Sequence, residues 1–425
     1  MKVSADPVEN RQATLTIEME PAEIDKYMEK AYQRLVHKVS VPGFRKGKAP
    51  RDVLERHIGR DALFKEALED LIPETYEEAL EEQKLEPIAQ PQFELIQTEP
   101  LIFKAVVPLK PTVKLGDYAK IKVESKPVEV SEEDVNTAIE QLRQQQAVLA
   151  PVDRPIQFGD IVTIDIDGEK DGEPFSIRKD TEYEVLKEAK LPLPGFAEKL
   201  EGMNKDEEKS FVLSYPQDYE MQELAGKDHA FRVTAKEIKE KILPEVDDEF
   251  AKTMGKEDVA SFREQIVSSL KARAEERARM ELEQKAVDAA VEISDVEYPT
   301  VLVDKEIERL LSDEARHFTE GISGLENYLK TIDKTLEGHM EELRPTANQR
   351  VVRSLVLGEL AEAEKIEVTD ADIDAEIDKM LKDAAEKAAE MKSFFSLPEA
   401  RESIKQFLLG KKTVDRLVQI ATGSA

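Results

Sequence analysis

Apolar and polar residues alternate in two stretches of the first hundred or so residues. The stretches are ATLTIEM at residues 13–19 and FKAVVPL at residues 103–109. Successive side chains of a strand point to opposite faces, so this period of two predicts half-buried strands. Between them, apolar residues recur at helical spacing from about Pro21 and again near residues 61–82. The pattern predicts an N-terminal α+β unit.

A second strand-rich region follows further along the chain. Apolar residues alternate in IVTIDIDG at residues 161–168 and in SFVLSYP at residues 210–216. Asp171 and Gly172 form a dipeptide that is typical of hairpin turns. The pattern predicts a small β-rich domain that ends near Lys241.

Helical spacing dominates after LPEVDDEF at residues 243–250. Because proline interrupts the hydrogen bonds of a helix, we expect helix boundaries near Pro299, near Arg344–Pro345 and near Pro398. A closed helical bundle would satisfy this pattern. An open arrangement would instead leave part of the apolar helix faces exposed to partner molecules.

Two segments share one pattern of polar and apolar positions, residues 128–142 and residues 366–380. Each has a hydroxyl residue at the expected N-cap, Ser131 or Thr369, followed by acidic residues and an apolar stripe. Two unrelated, well-capped helices would produce this pattern as well as a true repeat would. In either case, the β-rich domain is expected to be an insertion into a helical body.

The total length and charge limit the function. With 425 residues the chain is longer than one core usually organises, and its formal net charge of −30 repels nucleic acid over most of the surface. The absence of cysteine excludes disulfides and thiolate chemistry. The charged N-terminal segment and the lack of a long apolar run predict a cytoplasmic protein that binds no membrane and no DNA.

Signatures of catalysis and metal binding are missing from the sequence. The five histidines are scattered without the spacing that zinc sites need, and no phosphate-binding glycine-rich loop or serine nucleophile elbow occurs. We therefore expect no metal and no cofactor, and the hydrolase and NTPase classes are disfavoured.

One loop reverses the charge of the chain, VPGFRKGKAP at residues 41–50. Six basic residues and two acidic ones lie between Arg45 and Arg60. Proline and glycine on both sides stop helix propagation, and Phe44 adds an apolar anchor beside the charges. The pattern favours contact with RNA phosphates or an acidic protein surface, and a merely solvated loop is the alternative.

GFRKGKAP resembles the ribosome-docking signature of trigger factor, a family of bacterial nascent-chain chaperones. The order of the other segments is similar along essentially the whole chain. The resemblance implies binding to proteins and rRNA at the tunnel exit of the large ribosomal subunit, to unfolded and nascent polypeptides, and to a second copy when the protein is free. The implied ribosome-binding residues are Gly43, Phe44, Arg45, Lys46 and Lys48.

The resemblance also implies a multidomain α+β fold, in which an FKBP-like β-rich domain precedes a long all-α region. The expected parts are a ribosome-binding α+β head at 1–115, a helical linker that packs with the C-terminal region at 116–153, an FKBP-like prolyl isomerase domain at 154–243, and a helical chaperone domain with arms at 244–425.

The strand-rich region resembles FKBP-type prolyl isomerases, whose pocket is lined by apolar and aromatic side chains. Ile166 stands where the family usually has an aromatic, Ser176 stands where an acid is common, and YEVLKEAKLP replaces a glycine-containing loop. Weak isomerase activity is therefore expected, and ordinary core packing is the alternative role. The implied pocket residues are Ile166, Phe175, Leu193, Phe196, Tyr219 and Phe231.

The leading hypothesis is an ATP-independent, ribosome-associated chaperone that delays misfolding and aggregation of nascent chains and catalyses prolyl isomerisation. One alternative is a protein whose main activity is prolyl isomerisation, with helices that only present the substrate. The other is a ribosome-independent assembly chaperone with a degenerate isomerase domain.

Overall fold

Two compact units make up the chain in this computed structural model. The structure describes residues 1–124, 127–170, 173–187, 189, 193–214, 226, 228–383 and 388–423, with side chains described outside 169–177 and 383–390. The units are Met1–Ser125 with Arg279–Ala425, and Lys126–Ala278. The second unit is thus inserted into the first.

The head is the N-terminal part of the first unit, and its four strands form one antiparallel sheet in the order β1-β2-β4-β3. The alternation predicted for β2 and β4 is confirmed, because every second residue of each strand is buried. Leu15, Ile17 and Phe103 are fully buried in the resulting core. The elements of the head are β1 Lys2–Ala5, β2 Gln12–Met19, α1 Pro21–Lys38, α2 Arg51–Ile58, α3 Arg60–Gln83, β3 Gln92–Thr98 and β4 Leu101–Pro108.

The two long helices of the head also follow the predicted spacing. α1 begins at Pro21, where a proline costs no hydrogen bond, and buries Met28 and Ala31 against α3. The guanidinium of Arg34 lies 2.8 Å from the Glu66 carboxylate on α3. The short helix α2 was not predicted, because Leu54 is the only residue it buries.

The remainder of the first unit is mainly helical. Three apolar clusters hold it together, between α8, α9 and α10, between α7, α10 and α13, and between α11, α12 and α13. The elements are β5 Thr112–Lys114, the end of α7 Val259–Glu292, β11 Asp295–Glu297, α8 Thr300–Ala315, α9 Ile322–Thr331, α10 Leu336–Ala363, α11 Asp370–Asp383, α12 Ala388–Phe395 and α13 Pro398–Thr422.

Proline marks two of the three predicted helix boundaries. α8 begins directly after Pro299, and α13 begins at Pro398. The boundary predicted at Arg344–Pro345 is wrong, because Pro345 lies inside α10. α10 packs on α8 on both sides of this proline, since the Arg344 guanidinium lies 3.1 Å from Asp304 and Ala347 is buried in the cluster with α8. Such tertiary contacts offset the roughly 3 kcal/mol that an interior proline costs a helix.

The second unit is built around an antiparallel sheet. Its order is β6-β10-β7-β8, and β9 also pairs with β10. The helix α5 contributes Phe196 and Leu200 to the core of this sheet. The elements are α4 Glu132–Gln145, β6 Val148–Pro151, β7 Ile161–Lys170, β8 Glu173–Glu184, α5 Phe196–Leu200, β9 Glu208–Ser214, β10 Asp228–Ile242, α6 Asp248–Thr253 and the start of α7.

Both predicted N-caps are confirmed. The backbone N–H of Asp134 donates to Ser131 Oγ at 3.1 Å, and the N–H of Ser131 donates to the Asp134 carboxylate at 3.0 Å. Thr369 and Asp372 make the same reciprocal pair at 3.3 and 2.8 Å. These capping boxes satisfy backbone donors at the starts of α4 and α11.

Among the described residues, no helix is long and apolar enough to cross a membrane. The same part of the chain contains no group of three or more histidine and acidic side chains placed to hold a metal ion.

Candidate functional site

The basic loop, residues 41–50, connects α1 to α2 and is anchored at both ends. Val41 and Ala49 are buried in a cluster with Val36 and Leu54. The hydroxyl of Tyr32 on α1 donates to the carbonyl oxygen of Ala49 at 2.8 Å. The ends of the loop are therefore part of the core of the head.

Two tight turns shape the tip of the loop. The N–H of Phe44 donates to Val41 O at 3.1 Å, and the N–H of Lys48 donates to Arg45 O at 2.9 Å. The N–H of Gly47 also donates to Val36 O of α1 at 2.9 Å, which ties the tip to the helix. Gly43 and Gly47 have φ of +84° and +81°, a region that residues with a Cβ rarely adopt. The glycines predicted to stop the helices thus also set the path of the loop.

The tip presents one apolar ring among cations. Phe44 is 42% exposed, although phenylalanine residues in folded proteins are usually mostly buried. Arg45, Lys46 and Lys48 are exposed. None of these three cations forms an ion pair with a described carboxylate, so their charges remain available to a partner.

Two of the six basic residues counted between Arg45 and Arg60 form ion pairs with carboxylates of the head. The Arg51 guanidinium lies 2.7 Å from the Asp25 carboxylate, and this hydrogen bond raises the pKa of Arg51. Arg60 lies 3.1 Å from Glu99. Charge counting alone could not separate these ion-paired cations from Arg45, Lys46 and Lys48 at the tip.

An aromatic cluster, defined as Tyr183, Phe196, Phe211 and Phe231, lies in the second unit. The Phe196 ring is at its centre, with centroid distances of 5.4 Å to Tyr183 and 5.5 Å to both Phe211 and Phe231. All three contacts are edge-to-face, an arrangement that aromatic pairs prefer. Phe196 is fully buried by these neighbours.

Four of the six predicted pocket residues meet in this core. Ile166 and Leu193 are buried with Phe196 and Phe231 in one cluster. The Phe175 side chain and Tyr219 lie outside the described residues.

Tyr183 and Phe211 were missed at the sequence level. Phe211 follows the alternation of β9, and this is a signal that could have found it. Burial, together with the nearby Glu198 carboxylate, raises the pKa of Tyr183 to about 12, so its hydroxyl stays neutral at ordinary pH. Phe211 and Phe231 also line a cavity of about 240 Å³, whose polar rim includes Asp167 and Arg232.

The geometry offers apolar surface rather than acid–base chemistry. An X-Pro amide rotates over a barrier of roughly 20 kcal/mol because resonance keeps it planar. An apolar, water-poor surface that binds the twisted amide better than the planar one lowers that barrier without moving a proton. The aromatic cluster has the composition for this task.

Apolar side chains are also exposed in two stretches of the helical region. The first stretch is α9 together with the residue that caps its C-terminus. The second stretch is α12, the residue that caps the N-terminus of α13, and the middle of α13. The exposed residues are Ile322, Tyr328, Ile332, Phe394, Leu397 and Phe407. Exposed apolar area of this kind is typical of surfaces that bind other polypeptides.

Three family models match the chain. The model of the bacterial trigger factor protein matches residues 1–142, and the model of its C-terminus matches residues 258–419. The FKBP-type peptidyl-prolyl cis-trans isomerase model matches residues 152–236. A trigger factor of Dehalococcoides mccartyi is 37% identical, and the alignment covers 99% of this chain and 95% of the relative. The chain belongs to the trigger factor family.

A second relative supports the family assignment over the full length. The trigger factor of Halothermothrix orenii is 37% identical, and the alignment covers 99% of both chains. A solved trigger factor chaperone structure is 25% identical and covers 99% of each chain with a TM-score of 0.45, so the assignment rests on the sequence relatives.

Trigger factors are ribosome-associated chaperones with an FKBP-type isomerase domain, and this chain has the parts of one. The N-terminal family match contains the basic loop, and the isomerase match contains the aromatic cluster. Family membership implies binding to ribosomes and to nascent chains. It also confirms the multidomain fold class expected from the sequence.

Proposed function

We propose that the tip of the basic loop docks this trigger factor on the large ribosomal subunit beside the tunnel exit. The contact residues are Gly43, Phe44, Arg45, Lys46 and Lys48. The observation that carries the proposal is the exposed Phe44 ring among three cations that have no ion-pair partner in the described chain. rRNA phosphates and acidic ribosomal protein surfaces are the matching partners.

The anchored ends of the loop give this contact its specificity. Because Val41, Ala49 and the Tyr32 hydrogen bond fix the loop before binding, little conformational entropy is lost on docking. Phe44 supplies an apolar anchor, and the cations supply attraction that salt weakens. Elsewhere the net charge of −30 disfavours contact with RNA, which confines docking to the tip.

The aromatic cluster is proposed to bind Pro-containing client segments and to catalyse slow isomerisation. Ile166, Leu193, Phe196 and Phe231 support this role together with Phe175 and Tyr219 from the family pattern. Since Phe196 and Phe231 are both buried in the core of the domain, we assign both to shaping the pocket.

The exposed apolar stretches of α9, α12 and α13 are proposed to hold client polypeptides. No nucleotide is needed, because many weak apolar contacts release a client as soon as it buries its own core. We propose the part bounds 1–115, 116–153, 154–243 and 244–425, action in the cytoplasm, and homodimerisation away from the ribosome.

Ribosome cosedimentation tests the docking proposal. A variant with Phe44, Arg45 and Lys46 all changed to Ala is expected to lose most of its ribosome binding and to keep its suppression of aggregation in free solution. Arg56→Ala is the matched control, because Arg56 is also exposed but lies on α2. Ribosome binding that survives the triple change would reject the assignment of the tip.

A proline-limited refolding assay separates the chaperone from a protein whose main activity is isomerisation. Phe231→Ala is expected to abolish acceleration of refolding and to leave aggregation suppression intact. Loss of both activities in a variant that remains folded would favour the isomerase alternative.

A further inference from the structure

One face of α1 holds the chain where the basic loop passes into α2. Asp25, Glu29 and Tyr32 recur at helical spacing, so their side chains lie on the same face of α1. The Tyr32 hydroxyl donates to the carbonyl oxygen of Ala49, near the end of the loop. Arg51, the first residue of α2, binds both carboxylates, with guanidinium nitrogens 2.7 Å from Asp25 and 3.5 Å from Glu29. Contacts with α1 thus set the position of the loop exit.

Close packing holds α2 at few points. Leu54 is the only residue of this helix that is buried. A cavity of about 600 Å³ lies beside the helix, and its lining includes Met28 of α1, Arg51 of α2 and Phe64 of α3. The described side chains of the head leave this space unfilled, so they do not fix the distance between α1 and α2 by packing there. The ion pairs of Arg51, which lines the cavity, therefore take a large share in holding α2.

Arg51 differs from the cations at the tip of the loop in what it contacts. Its side chain is 27% exposed, and both of its terminal guanidinium nitrogens lie near carboxylates of α1. Arg45, Lys46 and Lys48 are exposed and form no ion pair with a described carboxylate. Arg51 is therefore poorly placed to bind a phosphate, although it belongs to the same basic segment of the sequence.

We propose that Arg51 is a positioning residue for ribosome docking, and that its ion pairs with Asp25 and Glu29 fix the direction of the loop tip. Without these pairs, the start of α2 would move more freely against α1, and the tip would adopt more orientations. The apparent affinity would then fall in proportion to the fraction of molecules in which the tip is correctly placed. This inference rests on the proposed docking function and adds a residue that acts on docking from outside the contact surface.

Replacing Arg51 by Gln in the full chain removes the charge and keeps much of the side-chain volume. Because ion pairs with this exposure are of modest strength, we expect about a fivefold loss of ribosome affinity in equilibrium cosedimentation. Hydrogen exchange over residues 41–50 should become about fivefold faster, since the loop opens more often. Arg56→Gln is the matched control, because Arg56 is exposed on the same helix, and it should leave both measurements near the wild-type values. Weaker binding of Arg51→Gln with unchanged hydrogen exchange would overturn the positioning role.

The dependence on salt separates positioning from direct contact with rRNA. Each cation that binds a phosphate makes the logarithm of the affinity fall more steeply with the logarithm of the salt concentration. Arg45→Gln should therefore reduce this slope by about 1, whereas Arg51→Gln should lower the affinity and leave the slope nearly unchanged. An equal reduction of the slope in the two variants would assign Arg51 to the contact surface and overturn the proposal.

A charge exchange between α1 and α2 tests the ion pair itself. Asp25→Arg makes the head more positive but places two guanidinium groups side by side, so positioning predicts weaker ribosome binding and simple attraction to rRNA predicts tighter binding. Glu77→Arg, on an exposed part of α3, adds the same charge as a control. Combining Asp25→Arg with Arg51→Asp restores an ion pair in reversed order, and it should recover most of the affinity and the slow hydrogen exchange. A folded double variant without this recovery would refute the role of the pair.

The outcomes separate this inference from the proposed function. If the variant with Phe44, Arg45 and Lys46 changed to Ala loses ribosome binding while Arg51→Gln binds as tightly as wild type, the assignment of Arg51 is wrong and the docking function stands. If the triple variant itself binds like wild type, the docking proposal fails.

Discussion

Changing Gly47 to Ala should disturb the basic loop without altering any side chain at its tip. Gly47 has φ of +81°, where an alanine costs roughly 1–2 kcal/mol because its Cβ crowds the backbone. The added Cβ would also lie 2.6 Å from the His37 ring. Moving that ring off its preferred rotamer costs about 1 kcal/mol more. The two effects together predict a destabilisation of roughly 2–3 kcal/mol for the closed loop.

Gly43→Ala is the matched control, because Gly43 has φ of +84° but no atom lies within 4 Å of the new Cβ. It should show only the backbone effect. Adding His37→Ala to Gly47→Ala should remove the steric effect and bring that variant back to the level of Gly43→Ala.

Hydrogen exchange read by mass spectrometry over residues 36–50 measures the opening of the loop in the full chain. A local destabilisation of about 1.4 kcal/mol speeds exchange about tenfold, so Gly43→Ala should exchange about tenfold faster than wild type and Gly47→Ala faster still. Ribosome affinity should fall in the same order. Equal protection in the two variants would refute the packing of Gly47 on His37.

Three further substitutions test the second unit and the helical region. Phe231→Ala should lower the stability of the second unit by about 3–5 kcal/mol, which thermal unfolding would detect, and an unchanged transition would argue against its place in the core. Ser131→Ala should cost α4 about 1 kcal/mol, because the Asp134 N–H loses its cap, and urea unfolding measures that loss. A hydrogen bond from Lys412, and more weakly those from Thr369, lower the pKa of Asp372 to about 2. The ionised Asp372 should therefore stabilise the fold fully above about pH 4, and this stabilisation should fade as the pH falls to about 2. Acid unfolding of wild type and Asp372→Asn checks this. The difference in their free energies of unfolding should shrink as the pH falls, and a difference that grows would contradict the prediction.

Local patterns predicted the elements whose burial follows a simple period. β2 and β4 bury every second residue, and α1 and α3 bury residues at helical spacing, so their sequences carry the information. The eight-residue helix α2 buries only Leu54 and left no detectable period. Pro345 misled the prediction because the packing of α10 on α8 outweighs its local preference.

In the candidate sites, too, local sequence predicted some features, and tertiary packing determined the others. The glycines and prolines of residues 41–50 predicted a loop, and that loop holds Phe44 exposed. Charge counting could not tell that Arg51 is bound to Asp25, since those residues are brought together only by the packing of α1 and α2. Similarly, Tyr183 joins Phe196 because β8 and α5 meet in the folded domain, a contact that no local pattern encodes.

Phe44 and its neighbouring cations are the residues that we propose to contact the ribosome. A photo-crosslinking residue placed at position 44 of the full chain, mixed with translating ribosomes, measures that contact directly. We expect crosslinks to large-subunit components beside the tunnel exit, fewer crosslinks at high salt, and none from position 94, where Glu94 lies exposed on β3 of the same head. Crosslinks from position 94 and none from position 44 would show that another face of the head contacts the ribosome and that the assignment of Phe44 is wrong.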